Sequence, residues 1–181
     1  MKQQLTPRIN KLEPNTIIDG GMEIWPEGNS RSVANNTSLY GAVLFKTANT
    51  STGVTLTNSR QASIPAGTEL NYSNQISKTA AGTLAAGTIS SFQYTVEGYD
   101  VSKMYKDETS LIFWVKSSVA SNRGLSIQNG SATHAYVQQY AINAINTWEL
   151  KVIKLPAMNT CPGAVDRVNG AGATIVFSIV S

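Results

Sequence analysis

The chain has 181 residues, of which 14% are charged, and a formal net charge of +3 at pH 7. This length suffices for one domain with a substantial core, and no break in composition marks a second domain. Lys and Arg are spread along the chain rather than clustered, which argues against a nucleic-acid-binding patch. Ser, Thr, Asn, Gly and Ala are abundant between short Val, Ile, Phe and Tyr runs, a composition that favours strands and polar turns over long helices.

Cysteine content and apolar runs bear on the compartment. Cys161 is the single cysteine, so no internal disulfide can form and nothing indicates an oxidising compartment. Residues 1–10 contain no apolar run of signal-peptide length, and no segment approaches the ~18 apolar residues of a membrane span. We therefore expect a protein made in the cytoplasm, without a signal peptide and without membrane insertion.

The first residues differ from the rest of the chain. Residues 1–14 carry Pro7 and Pro14, with apolar side chains spaced by three or four positions at Leu5, Ile9 and Leu12. This pattern predicts an N-terminal arm, residues 1–14, that orders against another subunit, with a short amphipathic turn as the alternative. Residues 15–181 are then the core domain.

Short strands separated by turns are predicted from Thr16 onward. Residues 29–38 read as a polar loop, and residues 40–46 as a buried strand. Residues 89–96 alternate, so one face of that strand is expected to enter the core; it carries Phe92, Tyr94 and Val96. One helical turn follows, with Asp100 as its expected N-cap.

The second half contains the most apolar strands. Residues 111–115 are apolar on both faces, which predicts a central strand that is covered on both sides and pairs with residues 123–128. Asn129 and Gly130 predict a hairpin turn into a long strand over residues 134–142. Residues 146–155 form another alternating strand.

The last predicted strand, residues 173–180, is also apolar on both faces. Left open it would aggregate, so we expect a sheet neighbour, a subunit or further sequence to cover it. About nine to eleven short strands without a βαβ rhythm predict an all-β fold, an antiparallel two-sheet β-sandwich of jelly-roll type with a short N-terminal arm.

Two distant segments carry a resemblance to known proteins. The first holds Asn15, Asp19, Gly20, Gly21, Met22, Glu23, Ile24, Trp25 and Gly28, and the second holds Phe113, Trp114, Val115 and Lys116. In this order they resemble the carbohydrate-binding-module-like jelly roll of bacteriophage tail-fibre and other virion proteins, a likeness that spans about residues 15–181.

The resemblance implies a non-enzymatic virion protein: a tail fibre, a head fibre or a decoration protein. It further implies other virion subunits as partners, a homo-oligomer that we expect to be a trimer, and attachment to host-surface polysaccharide. The alternative is a purely structural capsid or tail building block that makes subunit contacts without binding glycan. A free carbohydrate-binding module of a secreted enzyme is disfavoured because no signal peptide is visible.

Tyr136, Gln138 and Tyr140 are the candidate carbohydrate-binding residues. They fall on one face of the strand over residues 134–142 and combine two aromatic rings with an amide. Simple packing or a subunit contact is the alternative use of this face. The tryptophans, in contrast, all lie in apolar strand contexts, and core packing is expected of them: Trp25, Trp114 and Trp148.

Asp19 and Glu23 are the candidate metal ligands. They stand where binding modules that the chain resembles hold a structural calcium. Ca²⁺ takes ~6–8 oxygen ligands, and only two acidic groups are local, so the alternative is a capped turn. No other cofactor is expected.

Catalytic signatures are sparse. His134 has no sequence-adjacent partner, and the acidic pairs Glu23/Glu27 and Asp107/Glu108 read as solvated loop residues. We therefore do not expect an enzyme.

Overall fold

The computed structural model describes residues 15–51, 53–79, 88–160 and 165–179. The predicted arm, residues 1–14, and Cys161 lie outside the described residues. The described part forms eleven strands, one α-helix and a 3₁₀ turn at Met158–Thr160. The elements in chain order are β1 Ser30–Val33, β2 Thr37–Tyr40, β3 Phe45–Asn49, β4 Leu56–Gln61, β5 Ser73–Lys78, β6 Ser90–Glu97, α1 Gly98–Tyr105, β7 Thr109–Val115, β8 Ser121–Asn129, β9 Ala135–Ile142, β10 Glu149–Leu155 and β11 Ala171–Ser178.

The described residues form mostly strands, with one short helix, and every pairing among these strands is antiparallel, which confirms the all-β prediction. The largest sheet has six strands in the order β2-β3-β6-β11-β8-β9, and two smaller sheets have the orders β1-β4-β5 and β10-β7. No helix in these ranges is long and apolar enough to cross a membrane.

Both smaller sheets contact the same face of the six-stranded sheet. From the three-stranded sheet, Asn58 Nδ2 donates to Thr47 Oγ1 of β3 at 2.9 Å. From the two-stranded sheet, the ring of Phe113 lies 5.0 Å from that of Phe177 on β11 and 5.2 Å from that of Tyr140 on β9. The strand register places Thr47, Phe177 and Tyr140 on one sheet face. The core lies between this face and the two smaller sheets.

The alternation of β6 is confirmed. Tyr94 and Val96 are buried, Phe92 packs against the core, and the ring of Tyr94 lies 4.8 Å from that of Phe45. The hydroxyl of Tyr94 also donates to the carbonyl of Thr16 at 3.2 Å and accepts from the backbone N–H of Ile18 at 2.8 Å. This side chain therefore fixes the first described residues against the sheet.

The C-terminal strand β11 lies in the interior of the six-stranded sheet, between β6 and β8. Ala173 and Ile175 are buried there. A sheet neighbour on each side therefore covers the strand, the first of the three alternatives that its apolar faces allowed.

The prediction for residues 111–115 was wrong. β7 pairs with β10 over its whole length, and residues 123–128 belong to β8, which pairs with β9 and β11. β7 is covered on one face only, since Leu111 is buried while Ile112 is 59% exposed. An apolar strand whose second face is open to solvent has the same sequence pattern as a strand buried on both faces.

Two local predictions in the first half were also wrong. Residues 40–46 are not one strand, because β2 ends at Tyr40 and a tight turn leads into β3, where Phe45 N donates to Ala42 O at 3.0 Å. Residues 29–38 contain β1 and the start of β2 rather than a continuous loop. Short polar strands with weak alternation carry little periodic signal.

A helix is present where one helical turn was predicted, but it is longer, with eight residues, and its predicted cap is wrong. α1 has Glu97 at the N-cap position, without a side-chain hydrogen bond. The backbone N–H of Gly98 donates instead to Gly170 O at 2.9 Å, which starts the helix before Asp100. Asp100 lies in the first turn and pairs with Lys103 at 2.6 Å.

Candidate functional site

A groove of about 400 Å³ runs between two strand edges. β9 is the end strand of the six-stranded sheet and pairs with β8, while β10 pairs with β7 and presents its other edge. The lining residues all come from these two strands: Tyr136, Gln138, Gln139, Tyr140, Lys151, Val152, Ile153 and Lys154.

The three predicted carbohydrate-binding residues line this groove together. Tyr136 and Tyr140 are half-buried, and Gln138 between them is exposed. Tyr136 Oη donates to Gln138 Oε1 at 2.9 Å. This bond occupies Oε1 of the amide and leaves its Nε2 group available as a hydrogen-bond donor.

Tyr140 connects the groove to the core. Its ring meets that of Phe113 edge-on, at 5.2 Å and 82°. Burial raises the pKa of the Tyr140 hydroxyl, and the positive charge of Arg123 partly opposes that rise. The group therefore stays a neutral hydroxyl near pH 7, able both to donate and to accept a hydrogen bond.

The β10 wall supplies residues that were not predicted as site residues. Lys151 points to the same side as the buried Ile153, and its Nζ lies 2.6 Å from Glu149 Oε2. Val152 and Lys154 are exposed on the groove rim. The sequence signal was the placement of two lysines around Val152 and Ile153, but nothing local brings that strand beside β9.

Glu149 fixes the chain that leads from β9 into β10. Its Oε1 accepts from the backbone N–H groups of Asn143 and Ala144, both at 2.8 Å. The hydrogen bond from Lys151, followed by these backbone N–H donors, lowers the pKa of Glu149 to about 2. The carboxylate thus positions both the connecting loop and the Lys151 ammonium.

The groove lining combines three kinds of chemical group. Tyrosine rings offer flat apolar faces, the amides and tyrosine hydroxyls offer neutral donors and acceptors, and two lysines offer cationic donors. Such a combination can stack on an apolar ring face while hydrogen-bonding the hydroxyls around it.

The candidate metal ligands form a turn. Asp19 has a left-handed backbone, with φ of 53°, and its two carboxylate oxygens accept from Glu23 N at 2.8 Å and Ile24 N at 3.1 Å. Glu23 Oε1 accepts from Asn71 Nδ2 at 2.8 Å. Within the described ranges no three His, Cys, Asp or Glu side chains come together. This arrangement fits the capped turn better than a calcium shell of ~6–8 oxygens.

The three tryptophans have different surroundings. Trp25 is 9% exposed and belongs to the core, where its Nε1 donates to Met22 O at 2.8 Å. Trp148 is half-buried, with Lys116 Nζ 5.2 Å from its ring centroid. Trp114 is 37% exposed, so the prediction of core packing was wrong for this residue.

Trp114 belongs to an exposed apolar surface that we call the ribbon face. It comprises Ile112 and Trp114 of β7 with Leu150 and Val152 of β10, on the side of the two-stranded sheet away from the core. Trp114 pairs with Leu150 and Ile112 with Val152, so the four side chains form a two-by-two array. Leu150 is 48% exposed and Val152 59%.

No family model, no curated protein and no solved structure matches the chain, so the resemblance to phage virion modules stays a prediction.

Proposed function

We propose that this chain is a non-enzymatic bacteriophage virion protein, of tail-fibre, head-fibre or decoration type, that attaches to host-surface glycan through the groove between β9 and β10. The observation that carries the proposal is the convergence of Tyr136, Gln138 and Tyr140 with the lysines of β10 along one groove. These residue types suit a sugar, which has both an apolar ring face and a rim of hydroxyls.

The architecture in this proposal is a jelly-roll sandwich. The sheets β1-β4-β5 and β10-β7 are then two parts of one interrupted layer opposite the six-stranded sheet. Their contacts with one face of that sheet, through Asn58 and Phe113, support this assignment.

Binding at a single groove would be weak, because the groove is small, about 400 Å³, and partly open to solvent. A homo-oligomer, which we expect to be a trimer, would present several grooves to one polysaccharide. Linked copies gain avidity without any new contact, because each later binding event occurs at a high effective concentration.

A glycan array probed with the intact oligomer tests the proposal. Gln138→Ala should reduce the signal on the polysaccharides that bind, because it removes the exposed amide and the acceptor for Tyr136 Oη. Val137→Ala is the matched control, since Val137 is 67% exposed on the opposite face of β9. Absence of binding to every host polysaccharide, or equal loss in both variants, would count against the proposal.

The second candidate function, a building block that binds no glycan, is favoured by the ribbon face. Four neighbouring apolar side chains that are about half exposed are unusual on a monomer and typical of a protein contact. Sedimentation of Ile112→Glu against a control, Ser126→Glu on the outer face of β8, distinguishes the two candidates. Loss of the oligomer in Ile112→Glu alone, together with no glycan binding by the wild type, would favour the building block.

A further inference from the structure

We infer that the ligand of the groove is an acidic saccharide, whose carboxylate pairs with Lys154. This inference rests on the proposed glycan binding and specifies its ligand class.

The charges that line the groove are all positive. Its two walls contribute Lys151 and Lys154 and no Asp or Glu. A neutral oligosaccharide would need neither lysine, because amide and hydroxyl groups suffice to bind sugar hydroxyls. An anionic group, in contrast, is bound best by a charged donor.

The two lysines differ in whether their charge is already paired. Lys151 is largely neutralised by Glu149, whose carboxylate oxygen lies 2.6 Å from its Nζ. Lys154 is exposed, and it belongs to none of the ion pairs formed among the described residues. Lys154 is therefore the lining residue whose positive charge is available to a ligand.

Lys154 and the two tyrosine rings lie on opposite walls of the groove. Lys154 is near the end of β10, and the tyrosine rings lie on the facing strand β9. Tyr136 and Tyr140 are four residues apart on β9, which corresponds to roughly 13 Å along an extended strand. Lys154 alternates with Lys151 and therefore shares the outward side of β10 with Val152, at the groove rim. A sugar stacked on one of the tyrosine rings would meet Lys154 through an acidic substituent, on that sugar or on its neighbour, that extends over this rim.

A second cationic side chain, that of Arg123, lies next to a residue of the groove. Arg123 is the cross-strand partner of Tyr140, and its charge is close enough to affect the pKa of that hydroxyl. Arg123 also donates to Ile179 O at 2.9 Å, which holds its guanidinium in place on the neighbouring strand β8. Arg123 therefore places a further cationic side chain beside Tyr140, the residue it faces across β8 and β9.

Matched polysaccharide pairs test the inference. The oligomer is titrated with uronic-acid polysaccharides, namely polygalacturonate, alginate, hyaluronan and an acidic capsular polysaccharide of the host. Each is compared with its own carboxyl-reduced form. We expect at least one acidic form to bind roughly tenfold more tightly than its reduced form, as one charge-assisted hydrogen bond would give. The preference should shrink as salt is raised, because the site is open to solvent.

Substitutions assign the preference to Lys154. Lys154→Gln should abolish the difference between the acidic and reduced forms, and Lys154→Arg should retain it. Lys46→Gln is the control, because Lys46 lies on β3, four strands away from β9 in the same sheet. Circular dichroism of each variant establishes that it is folded.

The outcomes separate this inference from the function beneath it. Equal binding of acidic and reduced forms, or a preference that survives in Lys154→Gln, overturns the acidic-ligand inference and leaves glycan binding intact. Failure of every polysaccharide, acidic or neutral, to bind overturns the proposed function and this inference with it.

Discussion

Asn49 is a fully buried side chain with a complete set of hydrogen bonds. Its Nδ2 donates one hydrogen to Val54 O at 2.6 Å and shares the other between the carbonyls of Val33 and Ala34, both at 3.3 Å. Its Oδ1 accepts from the hydroxyls of Ser51 and Ser90, at 2.5 Å and 3.1 Å. One amide therefore ties β3 to β1, to the chain before β4 and to β6.

Replacing Asn49 should be costly, because the groups it binds are buried and would lose their partners. Asn49→Ala is expected to lower the free energy of unfolding by about 2–4 kcal/mol. Urea denaturation measures the change. Asn29→Ala, at an exposed position, should change the same quantity by less than about 0.5 kcal/mol. Equal effects in both variants would contradict this role.

Gly41 is required by a close approach of side chains rather than by its backbone angles. A Cβ at this position would lie 2.5 Å from Asn58 Nδ2 and 2.9 Å from Cζ3 of Trp25, both packed in the interior. Gly41→Ala should therefore destabilise the fold by about 1–3 kcal/mol through overpacking. In Gly20→Ala the nearest atom is Ile17 Cγ2 at 3.7 Å, and thermal unfolding should show little change.

Glu149 makes a pH-dependent contribution to stability. Its pKa is lowered to about 2 in the folded protein, so the contribution is present above the usual pKa of a glutamate and is lost as the pH falls toward 2. The difference in unfolding free energy between the wild type and Glu149→Gln should therefore be largest above about pH 5 and shrink on acidification. A difference that stays constant from neutral pH to pH 2 would contradict this pKa.

Strands differ in how far the sequence predicted them. The alternation of β6 and the Asn129-Gly130 turn between β8 and β9 specified local structure that the fold retains. β7 was not predicted correctly, because two apolar faces do not reveal whether one of them stays open. Its partner β10 begins at Glu149, 34 positions after β7 ends at Val115, and the hairpin of β8 and β9 lies between the two strands in the sequence.

One of the two walls of the candidate site could be predicted from the sequence. Tyr136, Gln138 and Tyr140 share one face of one strand, and a period of two is visible in the sequence. The opposite wall depends on where the two-stranded sheet packs. Lys151 and Lys154 therefore join the groove through the contacts of Phe113 with Tyr140 and Phe177, which no local pattern encodes.

Phe113 should accordingly control both the position of β7 and β10 and the width of the groove. Phe113→Ala removes both ring contacts, and we expect a loss of about 2–4 kcal/mol in unfolding free energy together with weaker glycan binding. Ser110→Ala, at an exposed position on the outer face of β7, is the control and should change neither. Denaturation and glycan titration of the two variants provide the measurements.

At the scale of the whole molecule, the groove and the ribbon face meet at β10. Val152 lines the groove and also belongs to the ribbon face. In an oligomer that covers the ribbon face, a neighbouring subunit would stand beside the groove. Subunit packing and glycan binding are then adjacent functions of one strand rather than exclusive alternatives.

The central claim is that the groove between β9 and β10 binds glycan. Hydrogen–deuterium exchange of the intact protein, with and without the polysaccharide that gives the strongest array signal, tests it most directly. Because the groove-facing edges of β9 and β10 are the proposed contact, we predict slower exchange in peptides that cover residues 136–140 and 151–154. Slower exchange confined to other segments, with those two unchanged, would contradict the claim.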